Sequence, residues 1–351
     1  MRIILTGASS FLGRAVTERL RAAGHEVFPL RHSFEEAETA LPQQADVWLH
    51  FAWAGVGSAG RSDARIQNFN VDMSMAALRK AAALGCGRFV FAGSQAEYGP
   101  GQGLQCEDAI CRPVSAYGKA KAAFGAQAAT FVQEWNRHLF NAQNGKNSTR
   151  AQNAEHVQAA GTALVAGGGQ VGTSAPAAHR PLQFIHLRIF SVYGPGDHET
   201  ALIPSCIRAF LNNAPMDFGP CTQDWNYLYI DDAAAAIQLL TELPLNLQPA
   251  ERQAQETQAT KVQPITAQPS VLLCNVAGQD TRPLRSYIEE LKALCKSDSP
   301  LHFGVRQNHA EGAADLRPDT TKLQRLGFYP QVSFAEGIRR CIEAERKQGE
   351  T

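Results

Sequence analysis

Short apolar runs alternate with longer stretches of helical periodicity through the first half of the chain. Residues 2–5, 26–30, 46–50, 88–92 and 184–188 read as strands, with little polar alternation inside them. Residues 11–22, 63–84 and 114–138 read as helices between them. Strands that are apolar on both faces need cover on both sides, and a βαβ succession makes them parallel. The predicted class is therefore α/β, a doubly wound parallel sheet occupying residues 1–190.

The order changes after residue 190. Helical pattern at 201–211 is followed by a strand at 227–230 and a helix at 231–240. A strand at 271–276 and helices at 283–295 and 334–345 complete the chain. These elements predict a smaller C-terminal substrate lobe, 191–351, with one or two of them returning to the large domain. Two segments interrupt the pattern without resetting it. Residues 141–181 are rich in Ala, Gly, Gln, Asn and Ser, and 244–270 in Gln, Pro, Thr and Ala. Neither holds enough apolar side chains to build a core, so both are expected to be flexible surface insertions.

Composition narrows the function classes. Of 351 residues, 44% are hydrophobic, enough for a large core. Lys plus Arg and Asp plus Glu stand at 33 each, which supplies no long-range field for nucleic acid or an anionic membrane. No apolar stretch is long enough to span a bilayer. The N-terminus enters a strand at once, without the apolar region and cleavage site of a signal peptide. The eight cysteines lack Cys-x-x-Cys or zinc-ligand spacing. They read as reduced thiols of a cytoplasmic enzyme that holds no metal.

Thr6-Gly7-Ala8-Ser9-Ser10-Phe11-Leu12-Gly13 links the first strand to the first helix. A glycine turn there lets backbone N–H groups approach a pyrophosphate, and the helix N-terminus adds partial positive charge. Gly7, Ser9, Ser10, Phe11, Leu12 and Gly13 are thus candidate cofactor contacts, and the sheet is expected to be of the Rossmann type. Ser10 takes the place of a middle glycine. The second strand ends in Leu30-Arg31-His32, with no carboxylate to bind a ribose 2′-hydroxyl. Arg31, aided by Arg14, suits a 2′-phosphate and so favours NADP(H) with NAD(H) as the alternative; a solvated surface arginine is the other reading. Asp46 either contacts the adenine amino group or caps the turn before its strand.

Tyr117-Gly118-Lys119-Ala120-Lys121 falls in a predicted helix, where residues four apart share a face. Lys121 beside Tyr117 can lower the phenol's pKa and make it a usable acid or base. Both also reach a nicotinamide ribose bound nearby. Ser94, at the carboxyl end of the fourth strand, is placed to hold a substrate oxygen. Tyr98 lies in a Gly/Pro turn without a lysine at helical spacing and reads as structural.

These residues resemble the extended short-chain dehydrogenase/reductase family, which includes nucleotide-sugar epimerases, dehydratases and 4-ketoreductases. The likeness rests on residues 6–13, on 46–52, on Ser94-Gln95-Ala96-Glu97-Tyr98-Gly99 and on the Tyr117/Lys121 pair. It continues through 187–196, Tyr229-Ile230-Asp231-Asp232-Ala233 and Leu326-Gly327-Phe328 with Pro330. It implies cofactor contacts at Phe51 and Ala52, and substrate contacts at Ser94, Gln95, Ser191 and Trp225. Dehydratases of the family carry an Asp-Glu pair where Gln95 and Ala96 stand, so elimination of water is disfavoured. Many relatives have Asn at Ser191 and, at Trp225, an Arg that holds the sugar-nucleotide diphosphate. Trp225 lacks that charge but can stack on a base or sugar.

The resemblance implies an NAD(P)-dependent enzyme acting on a nucleotide-activated sugar, with 4-keto reduction as the leading reaction. A redox-neutral 4-epimerase is the alternative. A dinucleotide-binding sensor or scaffold without turnover is the reading from another class. The long helices at 63–84 and 114–138 match those that pair as a four-helix bundle in homodimeric relatives.

Overall fold

The computed structural model describes residues 1–30, 41–101, 103–143, 180–245, 270–306 and 315–349. Arg31 and most of the two interrupting segments lie outside them. Six parallel strands form the central sheet. In spatial order they are Val271–Val276, Gln183–Ile189, Arg88–Ala92, Val47–His50, Arg2–Thr6 and Glu26–Leu30. The chain steps outward from the first strand to Glu26–Leu30, then crosses to the other side at Val47–His50. The carboxyl ends of the first and third strands therefore flank the switch in direction, where open α/β sheets bind ligands.

Alternate residues of each strand feed opposite cores. Ile3, Leu5, Val47, Leu49, Val90, Ile185 and Leu187 face helices Phe11–Ala22 and Ile230–Glu242. Ile4, Trp48, Phe89, Phe91 and Phe184 face helices Ala64–Ala83 and Ala116–Gln143. This double burial explains why the strands show little polar alternation. Asp63 caps the first of those long helices by accepting the Arg65 and Ile66 N–H groups.

Elements beyond residue 190 serve both layers. Val271–Val276 is the outer strand of the main sheet, and Ile230–Glu242 covers one of its faces. Helices Leu202–Leu211, Leu284–Cys295 and Phe334–Gly349 enclose a separate core with Tyr193, Tyr229 and Tyr287. A three-stranded sheet of Ser191–Tyr193, Asp224–Tyr229 and Thr281–Pro283 borders that core. The buried Asp232 carboxylate accepts the Gln331 and Val332 N–H groups at 3.0 and 2.9 Å, tying the C-terminal segment to the start of its helix. All eight cysteines are free thiols. Among the described residues, no helix is long and apolar enough to cross a membrane.

Candidate active site

The glycine loop is built for close backbone approach. Gly7 has φ +77°, and a Cβ there would lie 2.6 Å from the Ala52 nitrogen. A Cβ on Gly13 would lie 2.1 Å from the Gly7 carbonyl oxygen. Ser10 is the N-cap of the first helix: its hydroxyl accepts the Gly13 N–H at 3.0 Å. Its side chain thus spends itself on the helix end, a use its position in the glycine pattern did not reveal. Ser9 and Ser10 are exposed, whereas Phe11 and Leu12 pack into the core of the smaller lobe. Arg14 donates to the Ser9 carbonyl at 2.8 Å and the Gly196 carbonyl at 3.0 Å, bridging the loop to the segment after Ser191. A turn whose Gly7 and Gly13 admit no Cβ, at the N-terminus of a twelve-residue helix, fits a pyrophosphate-bearing dinucleotide.

Asp46 falls elsewhere. It precedes the strand Val47–His50 and so stands at the amino edge of the sheet, opposite Gly7 and Ala52. Its carboxylate accepts the Arg2 N–H at 2.7 Å and pairs with Arg180 at 3.6 Å. Adenine contact is thereby corrected to a structural role: in a parallel sheet, a residue at a strand's start cannot reach the cleft at the strand's end. Arg31 lies outside the described residues.

Trp53 connects the glycine loop to the predicted chemical groups. It follows Phe51 and Ala52, and its ring meets Tyr117 edge-on, 6.3 Å between centroids. The Lys121 Nζ lies 3.7 Å from the Trp53 ring centroid and 4.7 Å from that of Phe91. Lys121 also donates to the Ala92 carbonyl at 2.6 Å, two residues before Ser94. Tyr117 and Lys121 are buried on one face of their helix while Lys119 is exposed, as the four-residue spacing predicts. A Cβ on Gly118 would lie 2.4 Å from the Ala96 carbonyl, so this helix packs directly on the turn that carries Ser94. Ser94, Tyr117 and Lys121 are thus gathered around one corner of the sheet.

Electrostatics at this corner are unusual. Burial pulls the Lys121 amine down to about 7; Glu97 opposes the shift and Arg61 adds to it. Arg61 stacks its guanidinium 4.2 Å from the Tyr117 ring centroid. His50 is pushed down to about 3, by burial first and then by Lys121, and is neutral at pH 7. Its ring bonds Thr6 Oγ1 at 2.7 Å and Ser74 Oγ at 2.9 Å. Polar residues of the same helix hold the neighbouring loop: Gln67 accepts the Trp53 indole N–H at 2.8 Å, and Asn70 accepts the Ala54 N–H at 2.9 Å.

Sequence reasoning missed Trp53, Arg61 and Glu97. One signal was present for Glu97, since Ser94-Gln95-Ala96-Glu97 has the spacing of a capping box, and both reciprocal bonds form. Tyr98 is structural: its hydroxyl donates to Asn275 at 2.7 Å, and burial raises it to about 12. On the lobe side, Ser191 pairs with Tyr227 across the small sheet. Trp225 packs against the cluster of Tyr98, Phe190, Ala277 and Leu316. Its buried indole N–H has no acceptor among the described residues. Gln95 opens the short turn Gln95–Glu97 that follows Ser94.

The strand order and the glycine cradle define a Rossmann-type dinucleotide-binding protein. The chain belongs to the NAD dependent epimerase/dehydratase family, whose model matches residues 3–150 and 164–252. It is 22% identical over 164 residues to the CDP-abequose synthase of Salmonella muenchen, a match covering 47% of this chain and 48% of that protein. The match therefore spans about half the length of that curated relative. Among solved structures, it superimposes on DesIV, a dTDP-glucose 4,6-dehydratase from Streptomyces venezuelae with NAD and TYD bound. There the TM-score is 0.70 at 18% identity, covering 100% of this chain and 98% of that one. RMD from Pseudomonas aeruginosa, complexed with NADPH, gives 0.68 at 16% identity, with 99% of each chain covered. At these identities the structural likeness establishes the fold.

Proposed function

We propose that the protein reduces a 4-keto group on a nucleotide-activated sugar, with NADP(H) as the favoured cofactor and NAD(H) as the alternative. The observation that carries this reading is that Tyr117 and Lys121 meet at Trp53, one residue beyond the Ala52 that meets Gly7, while Lys121 bonds Ala92 and Gly118 packs on Ala96, on either side of Ser94. Gly7, Gly13 and the first helix N-terminus would hold the dinucleotide, whose nicotinamide supplies hydride when bound. Ser94 orients the sugar oxygen. Tyr117 exchanges its proton with that oxygen, and Lys121 biases the phenol. A lysine titrating near neutrality can restore that proton without a large change of free energy.

Several features support the finer choices. Arg31 suits a 2′-phosphate, and an NADP(H) cofactor favours net reduction over redox-neutral epimerisation. Gln95 and Ala96 supply no carboxylate for removing water. The ring of Trp225, only partly buried, offers a stacking surface for a base or sugar. Phe69, exposed on the helix Ala64–Ala83, supports homodimer formation through the two long helices. The free cysteines suit a cytoplasmic setting.

The test is to mix the protein with NADPH or NADH and 4-keto nucleotide sugars carrying UDP, dTDP or CDP, and to follow oxidation of the cofactor. Stoichiometric oxidation is expected. Interconversion of two sugars without net oxidation would make the protein a 4-epimerase, and tight cofactor binding without turnover would make it a sensor. Sizing in solution tests the dimer.

A further inference from the structure

Directly beneath Ser94 lies a charged group that the proposed proton transfer does not use. Glu97 ends the turn Gln95–Glu97 and is fully buried, at 0% exposure. Its Oε1 accepts the Ser94 backbone N–H at 2.8 Å and meets His186 Nε2 at 3.0 Å. Arg188 Nε donates to its Oε2 at 3.4 Å. His186 and Arg188 stand two residues apart on the central strand Gln183–Ile189, so both project to the same side. Together with the Ser94 N–H they outweigh burial and hold the Glu97 carboxyl below the usual carboxylate range.

The surrounding backbone is shaped to admit this network. A Cβ on Gly93 would lie 2.4 Å from His186 Nε2 and 2.5 Å from Glu97 Oε1. One on Gly125, in the helix that carries Tyr117 and Lys121, would lie 2.3 Å from His186 Cε1. Arg188 is itself fixed, stacking 4.4 Å from the Tyr98 ring centroid and donating to the Glu107 carbonyl at 3.1 Å. A rigid carboxylate bonded to the residue that would hold the substrate oxygen controls where that oxygen sits.

The same carboxylate and Lys121 meet adjacent backbone residues: Lys121 donates to the Ala92 carbonyl at 2.6 Å, and Glu97 Oε1 packs against Gly93, the next residue. Lys121 meets charged or titratable groups from four elements: Glu97 from the turn, Arg61 from the helix Ser58–Ser62, His50 from the third strand, and Tyr117 from its own helix. Glu97 is the negative charge of this set that opposes the cost of burying the ammonium. Around Glu97 the charged or titratable neighbours are His186, Arg188, Lys121 and Cys111.

We propose that Glu97 is a positioning residue: gripped by His186 and Arg188, it pins the Ser94 backbone and supplies the buried negative charge against which Lys121 keeps its proton. This rests on the reading of Ser94 and Lys121 as parts of one redox site.

The test needs no turnover for its first arm. Lysines are labelled with carbon-13 at Cε, the Lys121 signal is assigned by its loss in Lys121→Arg, and its midpoint is titrated by NMR. Glu97→Gln keeps an acceptor for the Ser94 N–H but removes the charge. The Lys121 midpoint is expected to fall by about one pH unit or more. Glu97→Asp keeps the charge and withdraws it from Ser94, so its midpoint should stay at the wild-type value. In the second arm, kcat for NADPH oxidation by dTDP-4-keto-6-deoxyglucose should fall about 10- to 100-fold in Glu97→Asp. An unmoved midpoint in folded Glu97→Gln overturns the proposal. Where that variant does not fold, unchanged kcat in Glu97→Asp overturns it instead. If the wild type does not turn over this sugar, NADPH affinity of Glu97→Asp replaces kcat, and a loss of affinity instead of unchanged binding overturns the assignment to Ser94. Activity of Tyr117→Phe, measured alongside, separates failure of this proposal from failure of the redox site.

Discussion

The Lys121 ammonium sits 3.7 Å above the Trp53 ring and donates to the Ala92 carbonyl at 2.6 Å, yet burial still brings its pKa to about 7. A favourable ring contact and one hydrogen bond do not replace the water that a cation loses inside a protein. The lysine is therefore held at the site at a cost in stability.

That cost gives an expected pH signature. The folded chain binds its Lys121 proton more weakly than the unfolded chain, whose lysine keeps its ordinary value of 10.5. Stability from this group therefore rises as pH climbs from about 7 to 10.5, and the cost is fully present below 7. Lys121→Met leaves Glu97 paired with His186 and Arg188. It is expected to be more stable than wild type by about 1–4 kcal/mol at pH 6, a gap that closes toward pH 10. Urea unfolding at the two pH values measures it; a variant less stable at pH 6 would contradict the electrostatic account.

Tyr117→Phe removes the phenolic hydroxyl while leaving the ring that packs against Trp53 and Arg61. Turnover of a 4-keto nucleotide sugar is expected to fall by about 10²–10⁴-fold, with cofactor affinity little changed. Steady-state rates and a cofactor titration check both halves. Retained turnover would remove Tyr117 from the chemistry.

Gly7→Ala places a Cβ at φ +77° and 2.6 Å from the Ala52 nitrogen. Relief of that contact moves the loop away from its cofactor-binding shape. The strain of about 1–3 kcal/mol corresponds to roughly 5- to 150-fold weaker dinucleotide binding. Fluorescence titration with NADPH and NADH reads the change. Undiminished affinity for both would show that the dinucleotide does not use this loop.

Tyr98→Phe strips the donor from the buried Asn275 amide oxygen. A loss of about 1–3 kcal/mol in unfolding free energy is expected, with kcat unchanged. Full stability with collapsed kcat would instead make Tyr98 the proton donor.

The six main strands were legible because each is a short apolar run closed by turn residues, as in Val271–Val276 and Glu26–Leu30. Tyr117 and Lys121 were legible as a pair because helical geometry alone puts residues four apart on one face. Glu97 was harder to value: its letter reads as a surface charge in a Gly-containing turn, and only His186 and Arg188, about ninety residues later, make its burial affordable. Trp53 was equally silent, since nothing local tells an indole that a lysine from a distant helix will lie over it.

The sequence by itself determined the local alphabet of this protein: a glycine turn into a helix, strands apolar on both faces, a phenol and an amine in register. Backbone dihedrals and side-chain periodicity act over a few residues, so those features are written where they occur. Tertiary structure decided which strands are neighbours, which edge of the sheet Asp46 occupies, and which charges share the buried corner under Ser94. Those outcomes depend on packing and desolvation between segments far apart in the chain, where each charge is set by partners that the local sequence does not contain.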